Sequence, residues 1–355
     1  MNSRSTFVIV AAFAAMTMAD PAQSKGLKPV GEIAIPGEPA TDIGIMDIDQ
    51  TTGLGYLAEK TNKSVIVFDT KTDKFVTRIA GFVGRLKDGD ASGPNGVLVV
   101  KGGAEVWVSD GDSTIKVIDP KTNQIVGTIS TGGKKRANGM ALAADAGMVI
   151  VANSNEEISF LSVISTAPDR KILAKVAIPE SAENLERSGY HAPSGMFYTV
   201  IPVSRGDATK GLMAQIDAKT GQRVKLHELP CHPHSLSIVS DATIFLGCST
   251  VHGPTPKPGG DMAFDILSGK VETVLAGYGG NGGSPVNRNL GQYYHSTSGG
   301  TLMVVDTKTK QGVQQIPTSN GARSLAVSLA NNRVYVATTA KELACRGCIV
   351  VFGPE

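Results

Sequence analysis

The sequence predicts an all-β protein, a seven-bladed β-propeller whose blades are four-stranded antiparallel sheets. Three observations predict this ring. A group of strand-like segments is repeated along the chain, tight turns recur at a nearly constant spacing, and the two ends of the chain complement each other.

The repeated group is clearest in residues 106–129. Residues 106–108, 115–118 and 125–129 are short runs rich in β-branched and aromatic residues, which favour strands over helices. Residues 96–100 supply a fourth strand before them. Four short strands cannot bury their faces alone, so the copies are expected to stack against one another.

The turns within the repeats share the pattern of Asp119-Pro120-Lys121-Thr122-Asn123. Aspartate can accept hydrogen bonds from the backbone that follows it, and proline presets φ, as tight turns require. We therefore interpret these aspartates as turn formers without a chemical role. The turns recur about every 47 residues, which divides the chain into about seven units of the size of a propeller blade. The other copies begin at Asp69, Asp217, Asp265 and Asp306, with a degenerate copy near Ser165.

The two chain ends predict how the ring closes. The last unit, residues 322–355, contains three strand-like runs, and an unassigned strand lies near the N-terminus at residues 30–36. Outer strands elsewhere end in an apolar residue and proline, and this strand ends in Ile35-Pro36. We expect it to complete the last blade and to bury Val30, Ile33 and Ile35.

The composition is that of an ordinary globular protein, with 41% hydrophobic and 19% charged residues and a formal charge of +2. There is no strong signal for nucleic-acid binding.

Residues 1–24 have the basic residue and short apolar run of a signal peptide, with cleavage after Ala19 or Ser24. We expect a single propeller domain over residues 25–355, no membrane span after signal removal, and a periplasmic or secreted location.

Four cysteines allow three disulfide pairings. Cys231 and Cys248 flank a predicted hairpin, and a disulfide between them is the favoured interpretation. Cys345 and Cys348 lie in a loop and are expected to form a short-loop bridge rather than a redox or metal pair. The alternative at the first pair is a zinc or copper site that also uses neighbouring histidines.

The predicted site lies at one mouth of the central channel, where the residues that precede the innermost strands converge. Polar residues at those positions are expected to form a ligand site, although such residues also line water-filled channels. The candidate ligand-binding residues are Asp42, Asn95, Asn138, Glu186, Arg187, His232, His234 and Arg323.

Two functions fit these residues. The leading interpretation is an exported binding or scaffold protein for a small molecule, a peptide or a periplasmic protein. The alternative is a metal-dependent hydrolase of lactonase type, in which His234 acts as general base. No cofactor is certain, and the sequence has no G-x-S-x-G, P-loop or H-E-x-x-H motif. In the alternative, a divalent cation such as calcium is held by Asp42, Asn95, Asn138 and Glu186.

Strand motifs of this chain resemble those of the YVTN-repeat propellers, which are seven-bladed proteins exported by many bacteria. The motifs are Val334-Tyr335-Val336-Ala337-Thr338, Val149-Ile150-Val151-Ala152-Asn153 and Val106-Trp107-Val108-Ser109-Asp110. Asn184-Leu185-Glu186 and Cys231-His232-Pro233-His234, with Cys248, are similar to motifs of an exported subset. The resemblance implies a propeller and a binding or surface role. The sixth blade departs from it, with Gly279-Gly280-Asn281-Gly282-Gly283 where an acidic residue is expected. The hydrolase alternative resembles gluconolactonase-like propellers, which usually have six blades.

Overall fold

The computed structural model describes residues 26–251, 257–278, 282–297, 299–340 and 345–355. Within them the chain forms seven four-stranded antiparallel sheets arranged as a ring, which confirms the predicted propeller. The signal peptide predicted at residues 1–24 lies outside the described residues. Three short 3₁₀ turns, Gly89–Ala91, Lys101–Gly103 and Ala192–Ser194, connect strands.

Each of the first four blades uses four consecutive strands, ordered from the channel outwards. Blade 1 consists of β2 (Ile43–Ile48), β3 (Leu54–Glu59), β4 (Ser64–Asp69) and β5 (Lys74–Ala80). Blade 2 consists of β6 (Val97–Val100), β7 (Glu105–Ser109), β8 (Thr114–Asp119) and β9 (Gln124–Ser130). Blade 3 consists of β10 (Arg136–Ala143), β11 (Met148–Ser154), β12 (Phe160–Ser165) and β13 (Ile172–Ala177). Blade 4 consists of β14 (Ser188–His191), β15 (Met196–Ile201), β16 (Gly211–Asp217) and β17 (Arg223–Leu229).

The remaining blades follow the same order, except that the last takes its outer strand from the N-terminus. Blade 5 consists of β18 (Cys231–Ser240), β19 (Thr243–Val251), β20 (Lys257–Asp265) and β21 (Val271–Ala276). Blade 6 consists of β22 (Val286–Asn287), β23 (Gln292–Thr297), β24 (Thr301–Asp306) and β25 (Gln311–Pro317). Blade 7 consists of β26 (Ser324–Ser328), β27 (Arg333–Ala337), β28 (Ile349–Pro354) and β1 (Leu27–Ile33).

The hydrophobic core lies between neighbouring blades. The second strand of most blades carries a large side chain that is fully buried, and Tyr56, Trp107 and Tyr335 are each 0% exposed. Tyr335, for example, packs with residues of blades 7 and 1 in one apolar cluster. Because both faces of these strands are covered, most of their residues are buried, whereas the outer strand β9 alternates between partly buried and exposed residues. The blades are therefore held together by side-chain packing across their faces.

The turn aspartates have the structural role that the sequence predicts. The Oδ1 atoms of Asp69 and Asp119 accept hydrogen bonds from the backbone nitrogens of Lys71 and Lys121, at 2.7 and 2.8 Å. The fifth residue of the second turn, Asn123, has φ 56°, a left-handed conformation that asparagine tolerates better than most residues.

The predicted closure of the ring is confirmed, with a correction to the strand that makes it. β1 pairs antiparallel with β28, so that Gly31 lies opposite Val351 and Ile33 opposite Ile349. The strand spans Leu27–Ile33 rather than residues 30–36. The predicted burial of Val30 is wrong, since Val30 is 43% exposed, and Leu27 is buried instead. A register shift between Pro29 and Gly31 changes which side chains face the core.

Both favoured disulfides are present, Cys231–Cys248 and Cys345–Cys348. The first ties the start of β18 to β19, and both of its cysteines are buried. These bonds consume the thiols that a zinc or copper site would need, and they suggest an oxidising compartment.

Among the described residues, no helix has the length and apolar character needed to cross a membrane.

Candidate functional site

Backbone bulges shape one mouth of the channel. Register shifts interrupt three innermost strands, between Ile43 and Met46 in β2, between Ala137 and Met140 in β10, and between Pro233 and Ser235 in β18. A bulge leaves residues unpaired and redirects their side chains, and bulges are common beside functional sites. The bulged residues line a cavity here, and they are Gly44, Ile45, Asn138, Gly139 and His234.

This mouth cavity has a volume of about 110 Å³, and residues from six of the seven blades line it. Among the described residues, blade 6 contributes none to the lining. The lining residues are Ile43, Gly44, Ile45, Lys60, Asn95, Arg136, Asn138, Gly139, Glu186, Arg187, His234 and Arg323.

Glycine is required where neighbouring blades meet beside the cavity. A Cβ atom on Gly44 would lie 2.3 Å from the carbonyl oxygen of Asn95, and one on Gly139 would lie 2.6 Å from that of Glu186. These distances are shorter than real Cβ contacts. The close approach lets the Ile45 backbone nitrogen donate a 2.7 Å hydrogen bond to the same Asn95 oxygen, which fixes blade 1 against blade 2.

Four cationic side chains dominate the lining: Lys60, Arg136, Arg187 and Arg323. Glu186 is the one carboxylate in the described lining, which leaves a formal excess of three positive charges. Two further carboxylates act on this group from outside the lining. Asp42 lies 3.7 Å from Lys60 and 3.4 Å from Arg323, and Asp47 interacts electrostatically with Arg187.

Burial makes these charges costly. Burial lowers the pKa of Lys60 to about 8; Asp42 opposes this, whereas Arg323 and Arg136 add to it. Burial likewise lowers the pKa of Arg187 to about 10, opposed by Glu186. In the part of the chain that the structure describes, the Arg136 Nε atom is buried without a hydrogen-bond partner. Concentrated, incompletely compensated cations favour an anionic ligand, because the ligand would supply the missing negative charge.

The amide groups of Asn95 and Asn138 connect blades. The Asn95 Nδ2 atom donates to the carbonyl oxygen of Ala137 at 2.9 Å, and the Asn138 Nδ2 atom donates to that of Leu185 at 3.0 Å. Asn138 also donates to Glu186 Oε2 at 3.3 Å. Both side chains reach the predicted cavity, but their amide nitrogens are used to join neighbouring blades.

The two histidines of the Cys231–His234 segment separate. His234 lines the mouth cavity, where its Nε2 atom lies 3.1 Å from Ser249 Oγ. Burial lowers the pKa of His234, so its imidazole is neutral near pH 7. His232 is not in the described lining, and its Nε2 atom lies 2.9 Å from the carbonyl oxygen of Ala208 in a blade 4 loop.

Asp42 lies in a second cavity beside the first. This adjoining cavity, of about 370 Å³, shares Ile43 and Arg323 with the mouth cavity. Its other lining residues are Thr41, Asp42, Arg85, Asn320, Gly321 and Thr339. The structure thus brings six of the eight candidate residues to the mouth cavity and Asp42 to its neighbour, and it places His232 elsewhere.

Lys60 and Arg136 are site residues that the sequence prediction missed. The prediction considered positions before the innermost strands, but Lys60 follows the second strand of blade 1, and Arg136 is the first residue of β10. The run Lys134-Lys135-Arg136, two residues before Asn138, is the signal that could have identified Arg136. Lys60 has no comparable signal in the sequence.

The fold is similar to that of a known propeller protein. The structure matches Kuenenia stuttgartiensis hydrazine synthase with a TM-score of 0.72 and 15% identity, over 84% of this chain and 94% of that chain. At this identity the similarity concerns the fold alone. No known protein family matches the chain, and no curated protein matches it.

Proposed function

We propose that this chain is an exported propeller of the YVTN-repeat type that binds a small organic anion at the mouth of its channel. The ligand is a soluble organic acid. The observation that carries the proposal is the convergence of Lys60, Arg136, Arg187 and Arg323 on one cavity of about 110 Å³. The two disulfides and the signal-like residues 1–24 support export.

The physical role of the fold in this proposal is preorganisation. Each cation comes from a different rigid blade or blade edge. Folding therefore brings the like charges together before the ligand binds, and binding does not have to arrange them. Charge-assisted hydrogen bonds from arginine to carboxylate are short and strong. An anion in the cavity therefore replaces repulsion between cations with attraction.

The alternative function is a hydrolase that uses a divalent cation such as calcium, held by Asp42, Asn95, Asn138 and Glu186. The neutral imidazole of His234 favours this alternative, since a general base must be unprotonated. The surrounding charge disfavours it. Lys60 and Arg323 already face the Asp42 carboxylate, and a bound cation would lie among four positive side chains.

The test is calorimetric titration of the purified protein with D-gluconate and, separately, with Ca²⁺. Arg187→Gln removes a partly buried cavity charge and is expected to weaken gluconate binding roughly tenfold or more, at about 1.5–3 kcal/mol for a hydrogen bond to a charged group. Lys225→Gln removes an exposed charge from the outer strand of blade 4 and serves as the matched control. Gluconate binding that survives Arg187→Gln, together with stoichiometric Ca²⁺ binding, would support the hydrolase instead.

A further inference from the structure

The mouth cavity and the adjoining cavity meet at one arginine. Arg323 and Ile43 line both, and the adjoining cavity adds a further cation, Arg85, whose backbone nitrogen is held by a 3.0 Å hydrogen bond to the Lys60 carbonyl oxygen. The loop carrying Arg85 is thus anchored next to Lys60. The two cavities offer cationic groups on both sides of Arg323.

The charges of the two cavities do not balance. Five cationic side chains line them; two carboxylates also line them, and a third interacts electrostatically with Arg187. The formal excess is two positive charges, which a dianion would neutralise. The cations are Lys60, Arg85, Arg136, Arg187 and Arg323, and the carboxylates are Asp42, Asp47 and Glu186.

Arg323 makes long contacts with its own chain. Its Nη2 atom lies 3.4 Å from Asp42 Oδ1 and 3.3 Å from the Ile43 carbonyl oxygen. Charge-assisted bonds from arginine to carboxylate are typically about 2.7–2.9 Å, and a guanidinium has five N–H donors. Arg323 therefore retains the capacity to bind an anionic group more closely than it binds Asp42.

The adjoining cavity also presents neutral polar groups. Thr41 and Thr339 contribute hydroxyls, and Asn320 contributes an amide. The Thr41 hydroxyl lies 3.1 Å from Thr61 Oγ1, and Thr339 donates to the Asn320 carbonyl oxygen at 3.3 Å. A hydroxyl group both donates and accepts, so each retains capacity for a further hydrogen bond. Such a lining suits a ligand with hydroxyl groups better than a hydrocarbon chain.

We propose that the ligand is a hydroxylated organic dianion that occupies both cavities, with one acidic group among Lys60, Arg136 and Arg187 and the other beside Arg85. Arg323 contacts the ligand between them. This inference rests on the proposed function and names the class of its ligand. It predicts that a second acidic group increases affinity, and that Arg85 is responsible for the increase.

The test compares two probes that differ at one end only, D-glucarate, which has two carboxylates, and D-gluconate, which has one. Calorimetric titration should show that glucarate binds more tightly than gluconate, by roughly twofold to fivefold, because the second carboxylate contacts an exposed arginine whose charge water screens. Adipate, a dicarboxylate of the same length without hydroxyls, should bind more weakly than glucarate.

Two variants and a control variant assign the effect to its cavity. Arg85→Gln should reduce the affinity for glucarate to that for gluconate and leave gluconate binding unchanged. Arg187→Gln should weaken both, and Lys225→Gln neither. Melting temperatures of the variants establish that each is folded.

The possible failures are distinguishable. Equal affinities for glucarate and gluconate, or an Arg85→Gln variant that still prefers glucarate, would overturn the two-cavity ligand and leave the proposed function intact. Adipate binding as tightly as glucarate would refute the requirement for hydroxyls. If the folded wild-type protein bound none of the three acids, both this inference and the proposed function would be wrong.

Discussion

Lys60 shows at the scale of one residue how the fold prepares a binding site. Its side chain is 10% exposed, and Asp42 lies 3.7 Å away, farther than in a close ion pair. A buried charge that is only partly compensated destabilises the folded protein, and proteins retain such groups where function needs them. The lowered pKa of Lys60, about 8, is the measurable consequence of this burial.

The pKa of Lys60 predicts how ligand binding depends on pH. An anion binds the charged form of Lys60, and because the pKa in the free protein is about 8, gluconate affinity should fall as pH rises through 8. Arg187, with a pKa of about 10, stays charged over most of this range. We expect roughly a tenfold loss of affinity between about pH 7 and pH 9.5, measured by calorimetric titration.

Lys60→Met provides the corresponding control. The variant should bind gluconate weakly at every pH and show no decline near pH 8, whereas Lys225→Gln should keep the full wild-type dependence. A wild-type affinity that stays constant up to pH 9.5 would show that Lys60 does not contact the ligand.

Sequence reasoning predicted the site unevenly for physical reasons. The start of each innermost strand is a repeated position, so Asn95, Glu186 and Arg323 could be located by counting from the second strand. The charge of the site could not be predicted in this way, because Lys60 follows a different strand. The hydrolase alternative also treated Asn95 and Asn138 as cation ligands, without foreseeing that their amide nitrogens join neighbouring blades.

At the scale of the element, β1 shows what one strand contributes to the last blade. Its backbone pairs with β28, and its first residue is also held by blade 6: Leu27 donates to Gln314 Oε1 at 2.7 Å and accepts from Gln314 Nε2 at 3.0 Å. Leu27 and Ile33 are buried in separate apolar clusters, one with blade 6 residues and one with blade 1 residues. The strand therefore joins three blades.

Two substitutions within β1 distinguish its buried and exposed positions. Ile33 is 1% exposed and Val30 is 43% exposed. Ile33→Ala should reduce the free energy of unfolding by roughly 2–5 kcal/mol, because it removes buried methyl groups and leaves a cavity. Val30→Ala, the matched control in the same strand, should change it by less than about 0.5 kcal/mol. Urea denaturation measures both, and equal effects would contradict the register of β1.

The prediction of this strand shows where sequence patterns are reliable. The shortage of one strand in the last blade was sufficient to predict closure, because the repeat fixes how many strands a blade needs. The buried side chains were harder to predict, since a shift of one residue exchanges the two faces of a strand. The irregularity between Pro29 and Gly31 makes this shift, and alternation alone does not reveal it.

At the scale of the whole molecule, the ring depends on a contact between the two ends of the described chain. β1 comes from its beginning, and the three strands that it completes come from its end. Without β1, the hydrogen-bonding groups of β28 would form an open sheet edge, and the apolar cluster around Leu302, Val304 and Phe352 would lose part of its cover. The mouth cavity spans blades 7 and 1, so its geometry depends on the same closure.

Deleting residues 26–36 should open the ring at this point. Loss of the buried Leu27 and Ile33 side chains removes roughly 3–6 kcal/mol, at about 1.5–3 kcal/mol each, which is a large part of the stability of a typical domain. The melting temperature should fall, and gluconate binding should weaken because Arg323 and Lys60 lie on the two blades that separate. A synthetic peptide of residues 26–36 added in trans should restore both properties, whereas the same peptide with Leu27→Asp and Ile33→Asp should not. A truncated protein with unchanged melting and binding would mean that closure by β1 stabilises neither the ring nor its site.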